Sequence, residues 1–230
     1  MGVRLPGEYQ EVEWIETAVG YSQYIRTDYI SGSNPSAEFK FVLSKVGGGD
    51  KSVFGWFGDG SEQGFYFDIY SVSQAVYSAT PSSRNRGQTR LTKDVIYEAL
   101  LDSDGLTLNG EYFLPNSTGA ENSPRPLSIF GVTPSNGTGI WWNTNNKAIR
   151  IYYLRIYNDN ILEAQFIPCY RKSDSEIGMY DTVSKTFYTN AGTGAFLKGD
   201  DVSYEAIDWL GLRRMVMMGH KPEEPEPSQP

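Results

Sequence analysis

With 230 residues, 39% of them hydrophobic, and 24 glycines, the chain is long enough for one large β domain built around a single core. A net charge of −8 argues against a surface that neutralises phosphates, and no run of Lys or Arg alternates with aromatics, so nucleic acid is not an expected partner. Cys169 is the single cysteine and His220 the single histidine, which excludes an internal disulfide and the usual zinc-ligand spacings.

The opening MGVRLPGEYQEVEWIE lacks the apolar run of a secretory signal peptide, and no window approaches the roughly 18 consecutive apolar residues of a membrane span. Two readings follow: a trimmed piece of a secreted protein, or a protein that reaches the outside by assembly into a particle inside a cell. Beyond it, short runs rich in Tyr, Phe, Ile and Val are broken by Gly, Asn, Asp, Pro and Ser, the pattern of an all-β sandwich. The predicted strands are Glu11–Ile15, Tyr24–Arg26, Ala37–Leu43, Ser52–Phe57, Gly64–Tyr70, Gln74–Ser78, Thr89–Leu101, Leu106–Leu108, Glu111–Leu114, Leu127–Val132, Ala148–Tyr157, Ile161–Pro168, Ile177–Asp181 and Thr186–Tyr188. Asp104-Gly105 and Asn109-Gly110 tolerate the positive φ of tight hairpin loops, and Asn136-Gly137 sits in a longer loop of the same character, so the sheets should be mainly antiparallel.

Near the end, Thr182–Lys185 makes a hairpin between two of these strands. Asn190–Gly194 then allows a tight turn that returns Phe196 to the core, a closing clasp. The segment Asp201–Gly219 predicts a helix: Ser203 can cap it, Glu205 and Asp208 suit its start, Arg213 and Arg214 its end, and Gly219 can stop it. Its apolar residues Ile207, Trp209, Leu210, Leu212, Met215 and Met218 spread around more of the circumference than the roughly 100° face one sandwich needs. They are candidate contacts for a second copy or another protein, the alternative being a groove of the chain's own domain. Lys221–Pro230, KPEEPEPSQP, reads as an extended, solvated tail or linker. The expected organisation is a sandwich over 1–199, a helix over 200–219 and a Pro/Glu-rich tail over 220–230.

Three stretches, LPGEYQEVEWIET…YSQYIRTDY, AIRIYYLRIYNDNILEAQFIPCYRKSDSEIGMYD and VSKTFYTNAGTGAF, resemble in that order a concanavalin-A-like (laminin-G-like) jelly-roll domain common in proteins of gut bacteria and their phages. The resemblance covers roughly residues 5 to 197. It implies an antiparallel two-sheet jelly roll, and it implies a part of a phage tail or capsid, or of a bacterial surface protein, with lectin or glucanase relatives.

The glucanases of that superfamily carry a Glu-x-Asp-x-(x)-Glu strand, to which EVEWIE compares with Glu11, Glu13 and Glu16. Alternation would put Glu11 and Glu13 on one face about 6–7 Å apart, in range of a carboxylate pair for glycoside hydrolysis. Against it, the middle residue is Glu where the family has Asp, the motif lies in the first strand, and Glu16 has the wrong parity. A solvent face with Val12 and Trp14 turned inward is the better reading. Cys169 reads as a structural thiol and His220 stands at the edge of the tail, so neither is a nucleophile or base candidate. Asp102 with Asp104, and Asn158-Asp159-Asn160, supply oxygens that could hold calcium, but the same residues serve turns, which is the preferred reading.

Glycan binding has the most direct residue support: an aromatic platform for the C–H face of a sugar beside Asn or Asp groups for its hydroxyls. One cluster is Phe54, Trp56, Phe57 and Asp59 with Phe65, Tyr66 and Asp68. The second, with one of two adjacent indoles necessarily outward, is Trp141, Trp142, Asn143, Asn145 and Asn146. The expectation is a non-catalytic phage virion component that binds glycan or a host surface, with a structural or decoration protein, a bacterial surface or secreted adhesin, and a glucanase-like hydrolase as alternatives. No cofactor is expected.

Overall fold

The computed structural model describes residues 4–58, 64–70, 74–78, 85–113, 125–141 and 147–204. In chain order the strands are β1 (Tyr9–Glu11), β2 (Ile15–Glu16), β3 (Ile25–Ile30), β4 (Pro35–Lys45), β5 (Lys51–Phe57), β6 (Gly64–Tyr70), β7 (Gln74–Ser78), β8 (Asn85–Arg90) and β9 (Ile96–Leu101). They continue as β10 (Leu106–Leu108), β11 (Glu111–Phe113), β12 (Pro126–Ile129), β13 (Ala148–Asn158), β14 (Ile161–Arg171), β15 (Ile177–Asp181), β16 (Thr186–Thr189) and β17 (Leu197–Lys198). The larger sheet runs β11-β10-β9-β4-β13-β14-β15-β16, with β1 on β14, and β2 on β13 and β17. The smaller runs β3-β12-β5-β6-β7-β8. Pairing within both is antiparallel, and no helix occurs among the described residues, so the all-β expectation of two antiparallel sheets holds.

Alternation decides which face each strand buries. In β9 (IYEALL) Tyr97, Ala99 and Leu101 point inward, whereas Ile96, Glu98 and Leu100 face solvent; in β4, Ala37, Phe39 and Phe41 are buried between the less buried Glu38 and Lys40. Phe39 bridges the sheets: its ring lies 5.6 Å from Phe41 on its own strand and 5.0 Å from both Phe54 and Phe67 of the smaller sheet. Each such ring removes about 150–250 Å² from water, so this cluster contributes much of the cohesion between layers. Neighbouring β5 is buried at every position and β6 at every position but Tyr70. The outer face of the smaller sheet is therefore covered there as well as its inner one, as the near-continuous apolar runs VFGWF and GFYF require.

The clasp forms as the turn residues imply. Asp181 caps the 182–185 turn, its carboxylate accepting from the Val183 and Ser184 amides at 3.0 and 3.3 Å. Ala191 N–H donates to the Tyr24 carbonyl at 2.8 Å and Thr193 N–H to that of Ser22 at 3.1 Å, and Phe196 returns to the core 5.3 Å from Phe130. Between the two amides, a Cβ on Gly192 would lie 1.7 Å from the Ser22 carbonyl oxygen. Gly192→Ala must break this backbone contact and should cost about 1–3 kcal/mol in chemical denaturation, whereas Gly48→Ala, with open space at its Cβ, should be near neutral. Equal stability of the two variants would show that the clasp is dispensable.

Three elements differ from the sequence expectation. The strand over Glu11–Ile15 is broken at Glu13 and Trp14, because β1 pairs with β14 while β2 pairs with β13 and β17, and the chain bends to change neighbours. The strand over Thr89–Leu101 is two strands, because the chain passes there from the smaller sheet to the larger through a turn with Asp94 at φ 62°. Asp201–Tyr204, the first residues of the expected helix, are not helical: Asp201 bridges Val12 and the Val202 amide donates to the Glu11 carbonyl at 2.9 Å. The remainder of that helix, with Ile207, Trp209, Leu210, Leu212, Met215 and Met218, and the Pro/Glu tail lie outside the described residues.

Candidate functional site

The site is built where β12 ends. Phe130 takes a φ of 63°, and the chain turns so that Val132 and Trp141 pair antiparallel through two reciprocal hydrogen bonds of 2.9 Å. Thr133 docks beside β5, its amide donating to the Gly55 carbonyl at 3.1 Å and its carbonyl accepting from the Phe57 amide at 2.8 Å. Two arginines hold the intervening loop: Arg26 Nη2 donates to the Gly137 and Gly139 carbonyls at 3.2 and 2.9 Å, and Arg125 Nε to that of Ser135 at 2.8 Å. Trp141 is thus a side chain on a fixed backbone, and 48% of it is exposed.

Its indole packs 5.9 Å from the Phe57 ring, which in turn meets Tyr66 edge-on at 5.0 Å. Phe57, Tyr66 and Val132 form a small apolar cluster with Tyr70, apart from the main core. Gly55 makes this arrangement possible, since at its φ of 152° a Cβ would stand 2.3 Å from the Tyr66 Cβ. Along β6 from Tyr66, Asp68 pairs in register with Ser52; the Ser52 hydroxyl donates to Asp68 Oδ1, and Oδ2 has no partner among the described residues. Burial, with a smaller contribution from the Asp50 charge, holds the Asp68 carboxyl well above the usual carboxylate range despite the opposing Ser52 hydrogen bond.

One described residue of each aromatic cluster expected from sequence comes together here. Trp141 from the second meets Phe57 from the first, across more than eighty residues of chain, and Phe57 in turn rests on Tyr66. Phe54, Trp56 and Phe65 are corrected to core residues, fully buried between the sheets, with the Trp56 Nε1–H donating to Ser31 Oγ at 2.9 Å. Asp59, Trp142, Asn143, Asn145 and Asn146 lie outside the described residues.

The carboxylates of EVEWIE point to separate tasks. Glu16 forms a 2.8 Å ion pair with Arg150, whose guanidinium lies 3.8 Å over the Trp14 ring. Glu11 accepts from the Tyr204 hydroxyl, and Glu13 is exposed at the bend. Asp102 Oδ1 accepts from the amides of Asp104 and Gly105 at 2.9 and 3.1 Å, a local turn, whereas Asp159 Oδ1 accepts from Asn34 Nδ2 at 3.0 Å, a contact between two distant loops. Burial pushes the fully enclosed Cys169 thiol up to about 12, which suits the structural role expected of it. No family model, curated protein or solved structure matches the chain.

Proposed function

We propose that the chain is a non-catalytic component of a phage virion, in a tail or on a capsid, that binds glycan or host surface through the Trp141 face of a jelly-roll sandwich. The observation that carries the binding role is Trp141 itself: an indole half open to solvent, backed by Phe57 and Tyr66, on a loop pinned by Arg26 and Arg125. A rigid aromatic with one free face contributes contact area at little ordering cost, which is what stacking on a sugar ring requires. The virion assignment rests on the resemblance of the N-terminal, central and clasp stretches. In this reading the residues after Tyr204, including Trp209 and Leu212, contact a second copy or another particle protein.

Trp141→Ala tests the binding role. Loss of a stacked ring should weaken binding to the responding glycan of an array, or to host cells, by about 1–3 kcal/mol, roughly five- to 150-fold, with little change in melting. A ring needed mainly for packing would instead cost about 3–5 kcal/mol of stability. Full binding retained by a variant of unchanged melting temperature removes this face from the proposal.

A further inference from the structure

A second surface lies on the other sheet, at the seam where the N-terminal segment crosses β14 and the C-terminal residues leave the sandwich. Two hollows flank the ridge of Arg4, Leu5 and Pro6. One, of about 310 Å³, is lined by Tyr9, Glu11, Lys172, Ser203 and Tyr204 and open to solvent; the other, also about 310 Å³ and open, is lined by Tyr180, Thr182 and Lys185. Each stands at the lower end of the volumes that hold small ligands, room for about one sugar unit apiece.

The walls are set by backbone pairing. β1 lies on β14 with Tyr9 opposite Arg171 and Glu11 opposite Cys169, and the Val202 amide closes the other side on the Glu11 carbonyl. Gln10 Nε2 reinforces this by donating to the Val202 carbonyl at 3.0 Å. The Tyr9 ring is wedged 4.9 Å from both Tyr180 and Phe187.

The charge here runs against the rest of the molecule. The chain holds 28 acidic residues and 20 basic ones, yet the two hollows are lined by Arg4, Lys172 and Lys185 with Glu11 as their one carboxylate among the described residues. Arg4 reaches no carboxylate of the described residues, and Lys172 Nζ donates only to the Gly7 carbonyl, at 2.9 Å. Glu11 Oε2 accepts from the Tyr204 hydroxyl, and burial raises its carboxyl above the ordinary value.

We propose that the paired hollows are a binding site for an acidic saccharide, its carboxylate held by Arg4 and Lys172, its hydroxyls by Glu11 and Ser203, and a second unit lying beyond the ridge against Lys185. The cations call for an anion. Glu11 selects among anions, because an acceptor in the lining of the hollow favours a ligand that also carries several hydroxyl donors, of which a saccharide offers many and a phosphate dianion only one. The tyrosine walls suit the C–H faces of sugar rings. This site is independent of the Trp141 face and stands or falls without it.

The experiment uses the full chain and four probes: digalacturonic acid, neutral lactose, inorganic phosphate and a glutamyl-glutamate dipeptide, with affinity read by calorimetry. Digalacturonic acid should bind saturably, and the other three should not. Arg4→Ala and Lys172→Ala should each weaken it about ten- to hundredfold, the range of a charged hydrogen bond, whereas Lys93→Ala removes the same charge at an exposed site elsewhere and should change nothing. Absence of saturable binding, equal binding of any of the other probes, or Arg4→Ala and Lys172→Ala variants that bind as the parent does would each overturn the proposal. Melting curves of both variants without ligand separate lost binding from lost folding.

Discussion

Lys51→Met is expected to raise the stability of the folded chain at pH 7 by several kcal/mol and to remove most of a rise in stability between about pH 7 and 10. Lys51 opens β5 in register with the core residue Ile69; it is fully buried, and its Nζ has no hydrogen-bond partner among the described residues. Burial alone drives its pKa from 10.5 down to about 7. Between those two values the unfolded chain carries a proton that the folded chain does not, so stability rises with pH across that window. Below about 7 the penalty is complete, and above 10.5 it is gone. The separation spans between three and four tenfold steps of about 1.4 kcal/mol each, which sets a ceiling on the order of 4–5 kcal/mol. Methionine keeps the length of the side chain without the charge. Lys147, also buried and pushed down to about 8, leaves a smaller rise of the same sign in the variant. Urea unfolding from pH 6 to 10 measures both effects; a variant that is less stable than the parent at pH 7, or that keeps the parent's full slope, refutes this account.

That lysine also marks where sequence reading stops. Hydrophobic alternation and turn chemistry place most of the strands: Gly64–Tyr70, Gln74–Ser78 and Ile177–Asp181 coincide with β6, β7 and β15, because each is bounded by residues that break a ladder. Alternation is silent where the chain changes partners without changing composition, which is why the bend at Glu13 and the crossing at Leu91–Val95 read as continuous strand. The candidate face is legible by half. The Trp141-Trp142 pair announces an outward indole, but the Phe57 and Tyr66 that support Trp141 belong to a different sequence neighbourhood, and only the docking of Thr133 on β5 brings them together. The cationic hollows were not foreseen at all, since Arg4, Lys172 and Lys185 are each unremarkable surface residues until β1 pairs with β14. Lys51 and Asp68 fail for the opposite reason: charged residues ordinarily read as solvent-facing, and these two are not.

Asp68→Asn should be more stable than the parent at pH 7, with the advantage gone at pH 4. Asp68 is 1% exposed, Ser52 satisfies one of its oxygens, and the other has no partner among the described residues. Burial first, and the Asp50 charge second, hold its carboxyl well above the ordinary 3.8, outweighing the hydrogen bond from Ser52. From 3.8 up to that raised value the folded chain keeps a proton that the unfolded chain has released, so stability falls as pH rises through the window. Asparagine has the same shape, still offers an oxygen to the Ser52 hydroxyl, and never ionises. Unfolding midpoints from pH 4 to 8 decide the matter: an advantage that persists unchanged at pH 4, or a variant weaker than the parent at pH 7, sinks it. Taken with Lys51, the expectation is unusual in sign. An acid that weakens the fold as pH rises and a base that weakens it as pH falls both act against stability at neutral pH. The acid lies two residues along β6 from Tyr66, so part of this cost falls behind the Phe57–Tyr66 pair against which Trp141 packs.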